Sequence, residues 1–222
     1  TKTAGDDLDV YLVVWEDGVT TLAEESDSLE VEIGYGVDGS LPSDGDWTWV
    51  SGDFNPGFDS TSDDEYIGTL NFASAGEYDV AGRVRLDDGP WLECDLGGDT
   101  CGGEGSLDGY SPDTALQVSV SEPPPVTLAD VGVGDLVITE IMFDPTWGTD
   151  SGNEWLEIWN NSDAAIDIQG LVIEDEALTT AEILDAVVIE AGGYAVLARG
   201  DGSSWVYDFE PAAYYGTTVS FN

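Results

Sequence analysis

Residues 138–163, ITEIMFDPTWGTDSGNEWLEIWNNSD, decide how the chain is read. At the two-residue period of a β-strand, Glu140 shares a face with Ile138 and Met142, and Glu157 lies between Trp155 and Trp159. Two carboxylates thus fall on apolar faces. Burying an ionised carboxylate is costly unless a cation, a guanidinium or a set of hydrogen-bond donors compensates it. The stretch predicts two strands of a sandwich and a compensating partner for each glutamate.

Composition restricts what that partner can be. Against 47 acidic side chains stand only Lys2, Arg83, Arg85 and Arg199, with no histidine, giving a formal charge of −43. Self-repulsion at this density opposes a compact state, so bound or screening cations must offset it. This points to a salty or calcium-rich medium, with Ca²⁺ as the expected cofactor. The acids are scattered through Gly/Ser/Asp loops, and 41% of residues are hydrophobic, including eight Trp, which marks a folded chain and not a disordered acidic one. Phosphate recognition needs Lys and Arg that are missing, so nucleic acid and anionic membrane surfaces are excluded as partners. No stretch reaches the apolar length of a membrane span, and TKTAGDDLDV at the start has no signal-peptide core. The expectation is a mature or excised piece of a secreted precursor, exported or held at the cell surface in a marine or high-salt setting.

Working outward, strand signals dominate. DVYLVVW, LEVEIGY, WTWV, EYIGTLNF, EYDVAGRVRL and ALQVSV recur between turn clusters such as DGS, SDGD, NPG and LDDG. SEPPPV at 121–126 interrupts them with three prolines, which favour a stiff extended spacer. Beyond it come DLVITEIMF, EWLEIWN, AIDIQGLVIED, VVIEAGGYAVLAR and TTVSF; LTTAEILDAV, the one helical candidate, is too short and is read as strand or loop. The predicted architecture is all-β: two immunoglobulin-like β-sandwiches, 1–120 and 134–222, joined by a Pro-rich linker at 121–133.

The order ITEIM, EWLEIWNNS, IDIQGLVI, IEAGGYAVLAR resembles the bacterial lamin-tail domain, an immunoglobulin-like sandwich, from about Gly134 to Asp201. The resemblance implies that Glu140, Glu154 and Glu157 are the acids recurring in that family. It also implies two further strands after TTVSFN, so the expectation is a second sandwich lacking its last hairpin at Asn222, with an open edge that another chain could complete. Asn222 is then either an arbitrary end or a junction. Residues 8–120, through GYGVDGSLPSDGDWTWV, DEYIGTLNFASAGEYDVAGRVRLDDGPWLECDL and DGYSPDTALQVSV, are similar to a β-sandwich module that accompanies lamin-tail domains in large secreted bacterial proteins.

Several constellations could carry chemistry. Arg199 is the only basic residue of the second half, and a buried pair with Glu140 or Glu157 is its first expected use. The other glutamate would need amides of the NNSD turn, or a Ca²⁺ shared with Asp144, Asp150, Asn153 and Glu154, or would act as an inward charge against wrong strand pairing. Asp59, Asp63 and Asp64 in DSTSDDEY form a second candidate calcium loop; neither this loop nor CDLGGDTCGGEGSLDG has EF-hand spacing. Cys94 and Cys101, with six residues between them, predict a loop disulfide in an oxidising compartment, the alternative being two free thiols. Trp47 and Trp49 share a strand face with Trp91 near them, either as core aromatics or as a sugar-stacking platform. No catalytic constellation is recognisable: there is no His base, nucleophile elbow or phosphate loop.

Two functions follow. The first is a non-catalytic extracellular structural or adhesive module, assembling a fibre or matrix through open strand edges with copies of itself or other extracellular proteins. The second is a carbohydrate-binding accessory of a secreted hydrolase, with polysaccharide as partner.

Overall fold

The computed structural model describes residues 1–21, 24–60, 62–95 and 109–221, and the chain divides into two compact units, Thr1–Pro123 and Pro124–Asn222. Both are built from strands. The first contains β1 (Lys2–Thr3), β2 (Asp7–Val14), β3 (Leu29–Val37), β4 (Thr48–Ser51), β5 (Asp53–Phe54), β6 (Asp64–Asn71), β7 (Gly76–Leu86), β8 (Leu92–Asp95) and β9 (Leu116–Ser121). One sheet runs β1-β9-β7-β3-β4, with β8 also paired to β7, and the other runs β2-β6-β5.

The alternation read from the sequence places this core. Val10, Leu12 and Val14 of β2 are buried while Tyr11 and Val13 face out, and Val31 and Ile33 of β3 meet Tyr66 and Leu70 of β6 in the same cluster. Each fully buried aliphatic or aromatic side chain of this kind contributes about 1.5–3 kcal/mol. The opposite face of β3 carries Glu30, Glu32, Gly34 and Gly36, in register with Arg85, Arg83, Ala81 and Asp79 of β7.

The second unit contains β10 (Val126–Thr127), β11 (Leu136–Met142), the one-turn helix α1 (Asp150–Asn153), β12 (Trp155–Asn160), β13 (Ile166–Asp167), β14 (Val172–Glu174), β15 (Thr180–Glu182), β16 (Val188–Ile189), β17 (Tyr194–Ala198) and β18 (Ala213–Tyr214). Its sheets are β11-β12-β17-β18, β10-β13-β16 and the pair β14-β15. Ile166, Ile168, Ile183, Ile189, Leu197 and Val219 are the deepest residues between them. Val126, Leu128 and Val131 pack on this core and β10 pairs with β13, so folded structure begins inside the span read as linker. LTTAEILDAV is β15 followed by loop, because only short apolar pieces of it reach the core.

Candidate functional site

β11 and β12 run antiparallel with a register shift at Thr139. Leu136↔Asn160, Ile138↔Ile158 and Ile141↔Leu156 lie on one face, and Val137↔Trp159, Glu140↔Glu157 and Met142↔Trp155 on the other. The core lies on the first face, where Leu156, Ile158 and Asn160 are buried. Glu140 and Glu157 therefore sit opposite each other on the outer face, and the expected burial of this pair is overturned. Thr139 donates its hydroxyl to Glu157 Oε1 at 2.6 Å, while Glu140 is exposed. The sequence misled because both faces of EWLEIW are apolar. On the outer face Trp155 is covered edge-on by Tyr207 and Phe209, and Trp159 stacks on Tyr194.

β11 is the edge of its sheet, and among the described residues no strand pairs with its free side. Its core-parity side chains are uncovered: Ile138 is 57% and Ile141 46% exposed, although their partners Ile158 and Leu156 are 5% and 2% exposed. Phe143, just beyond the strand, and Trp147 are exposed as well.

Arg199 pairs with Glu154, not with Glu140 or Glu157. Glu154 is fully buried where α1 hands over to β12; its Oε1 accepts Arg199 Nη1 at 3.0 Å and Ser220 Oγ at 3.2 Å, and its Oε2 accepts the Phe221 amide at 3.1 Å. Arg199 Nη2 donates to Thr217 O at 3.1 Å, and the Arg199 amide donates to Glu154 O at 2.8 Å. The pair thereby ties the segment around Val219 to β12 and β17. Burial, with the Glu154 charge adding to it, pushes the neighbouring Tyr215 phenol upward in pKa.

The other candidate calcium ligands of this half do not converge. Asp144 and Asp150 are exposed, and Asn153 is buried but engaged with the Thr149 carbonyl and the Val206 amide. Among the described residues no three acidic or thiol side chains form a metal cluster. Asn160, which the sequence reading passed over, is fully buried. Its Nδ2 donates to the carbonyls of Ala164, Ile189 and Glu190, and its Oδ1 accepts from Ser162. A polar residue closing an apolar run just before an Asn-Ser turn was the available signal.

In the first unit the three indoles come together but not as an open platform. Trp47 is 8% exposed and stacks on Trp49, with Tyr110 edge-on against it. Both indoles lie over glycines of β3: a Cβ on Gly36 would meet Trp47 at 2.4 Å, and one on Gly34 would meet Trp49 at 2.5 Å. The Arg83 guanidinium lies 4.1 Å from the Trp49 ring centre and 4.5 Å from that of Trp91, which Arg85 also covers at 4.6 Å. Both arginines pair across to Glu32 and Glu30. The guanidinium groups occupy ring faces that a sugar would need.

Of the acids around the start of β6, Asp59 is exposed, Asp63 accepts from the Ser60 and Ser62 hydroxyls, and Asp64, the first residue of the strand, is buried. Cys94 is a free thiol among the described residues, donating to Gly82 O at 3.3 Å. Cys101, its expected disulfide partner, lies outside them. No helix of the described residues is long and apolar enough to cross a membrane.

Residues 131–221 match the family model described as the Lamin Tail Domain, in agreement with the immunoglobulin-like sandwich of the second unit. No curated protein matches the chain. Among solved structures, a cycloalternan-forming enzyme from Listeria monocytogenes in complex with a pentasaccharide substrate is similar at 13% identity and a TM-score of 0.33, over 91% of this chain and 18% of that one. An uncharacterized protein from Listeria monocytogenes EGD-e in complex with α-D-glucose, β-D-glucose, magnesium and calcium is similar at 14% identity and a TM-score of 0.32 over the same shares. The chain spans 18% of the length of these proteins, and similarity at this level carries no argument about ligand or activity.

Proposed function

We propose that this chain, whose residues 131–221 carry the lamin-tail fold, is a non-catalytic extracellular or cell-surface module that assembles by accepting an extended strand from another copy along the free edge of β11. One observation carries the reading: an unpaired strand edge coincides with uncovered Ile138 and Ile141, beside core partners that are buried. A strand laid there would satisfy the free amides and carbonyls of β11 and remove both isoleucines from water, at about 25 cal/mol per Å² of apolar surface. The register shift at Thr139 and the exposed Glu140 narrow the set of strands that can dock, as edge devices do. A charge of −43 supports an outside location, where salt screens it. The test is sedimentation velocity across protein concentrations in high salt. Association of the wild type, abolished in Ile141→Lys with an unchanged circular dichroism spectrum, supports the proposal; a wild-type monomer at every concentration overturns it.

A second reading, a carbohydrate-binding accessory module, is favoured by a different place from the one the sequence suggested. Met142, Asp144, Thr146, Trp147 and Tyr207 line a cleft of about 170 Å³, with Trp147 77% exposed. An open indole beside a carboxylate can stack on a sugar ring and accept from its hydroxyls. Glycan-array binding lost in Trp147→Ala and kept in Trp49→Ala would establish this reading, and no binding to any glycan would remove it.

A further inference from the structure

The free edge of β11 is irregular, and that irregularity selects its partner. Thr139 is an extra residue in the strand: Ile138 pairs with Ile158, while Glu140 pairs with Glu157, the adjoining residue of β12. Side-chain parity therefore flips across Thr139. Leu136 and Ile138 lie on the core-side face before it and Ile141 lies on that face after it, whereas Val137, Glu140 and Met142 face outward. Alternation carries Phe143, one residue beyond the strand, back to the core side. A regular strand cannot follow such an edge. Laid antiparallel and in face with Ile138, it falls out of face at Ile141, because a one-residue slip turns every later side chain to the other side. A strand with the same extra residue at the matching place stays in face throughout. No other described strand pairing carries such a shift.

We propose that β11 pairs antiparallel with β11 of a second copy, about a twofold axis passing between Thr139 and Glu140; this rests on the reading of β11 as an acceptor edge and names the strand it accepts. LVITEIMF, residues 136–143, runs apolar, polar, apolar and keeps that order when reversed. In this register Ile138 opposes Ile141 of the second copy and the reverse, Val137 opposes Met142, and Leu136 opposes Phe143. Each match joins apolar side chains on the same face. Ile138, Ile141 and Phe143, now 57%, 46% and 55% exposed, are covered together. With about half of each side chain uncovered, they bring on the order of 250 Å² per copy, or about 500 Å² per pair. Together with the two backbone edges this approaches the roughly 1,000 Å² at which a specific, weak interface begins.

Charge opposes the contact and also locates it. Glu140 meets Thr139 of the second copy and not its own counterpart, yet both Glu140 carboxylates stand beside the axis, each already opposite a Glu157 in its own sheet. Like charges so placed weaken strand pairing. Removing this one acid should therefore tighten the pair, which removal of a distant acid would not do.

Sedimentation equilibrium of the full chain at high fixed NaCl, combined with disulfide trapping, tests the pairing. The wild type should reach a dimer and stop there, because a twofold contact uses up its own edge. Ile138→Cys mixed with Ile141→Cys should form, on mild oxidation, a disulfide between the two substituted positions, identified by mass spectrometry of the linked peptides. Directly opposed strand residues lie about 4.5–5.5 Å apart at Cα, within disulfide reach. Neither variant alone should link to itself through its new cysteine. Glu140→Gln should tighten the dimer about twofold, while Glu182→Gln, an exposed acid of β15, should leave it unchanged. A dimer without the mixed disulfide, or growth past the dimer, overturns this pairing and leaves β11 as the acceptor of some other strand. A monomer at every concentration overturns both.

Discussion

Replacing Arg199 by Met should loosen the end of the second unit far more than an ordinary surface substitution would. Glu154 is 0% and the Arg199 side chain 13% exposed, so removing the guanidinium leaves a buried carboxylate with only the Ser220 hydroxyl and the Phe221 amide as donors. Breaking a buried pair in this way costs about 3–5 kcal/mol, and the two surviving donors place Arg199→Met at the low end, about 3 kcal/mol. That corresponds to a roughly 150-fold shift in the opening equilibrium. The double variant Glu154→Gln/Arg199→Met removes both charges and should recover about 2 kcal/mol of the loss, a coupling that independent sites would not show. Hydrogen exchange read by mass spectrometry measures this directly. Peptides covering 213–221 should exchange about two orders of magnitude faster in the single variant, while peptides of β6 in the first unit stay unchanged. A single variant costing less than about 1 kcal/mol, or a double variant whose cost is the sum of the singles, would refute the assignment of Glu154–Arg199 as the clasp of this segment.

Gly36→Ala should destabilise the first unit by roughly 1–3 kcal/mol, because its methyl would occupy the space of Trp47 and Ser40; urea midpoints followed by tryptophan fluorescence check this. Asp175 accepts the Thr179 hydroxyl and amide and the Ala177 amide, and these bonds hold its carboxyl below the usual range. A depressed native pKa gives stability that is present above the ordinary carboxylate pKa and lost as pH falls through the native value. Urea midpoints from about pH 4 down to about pH 2 should therefore fall more steeply for the wild type than for Asp175→Asn, and equal slopes would contradict the assignment. Burial pushes the Cys94 thiol up to about 11, so in reduced, folded protein its alkylation by iodoacetamide should keep climbing with pH toward that value, as peptide mapping would show. A plateau near pH 8.5, about where a free cysteine titrates, would count against it.

Much of the fold was legible because strand alternation is local. DLDVYLVV and LEVEIGYGV place Val10, Leu12, Val31 and Ile33 inward by parity alone, and the lamin-tail order of motifs fixed the type of the second sandwich. The partners of charged groups were not legible. Whether Trp155 and Trp159 or Leu156 and Ile158 face the core depends on where Phe209 and Tyr194 arrive, and both come from distant parts of the chain. The same tertiary choice sent Glu157 outward and made Glu154 the acid that meets Arg199. The tryptophan cluster was half visible. Trp47 and Trp49 do share a face, but only the paired strands show that Gly36 and Gly34 make room for them and that Arg83 closes over the rings.

All four basic side chains are turned to internal bonds, and this governs how two such molecules meet. With a net charge of −43, two chains repel each other in dilute buffer, with a field reaching about 30 Å at 0.01 M salt and shrinking to about 3 Å at 1 M. Association through β11 should then accelerate as salt is added, the reverse of the usual behaviour of complexes steered by opposite charges. Salinity itself would act as the trigger, keeping the chains dispersed in fresh water and letting them link in brine.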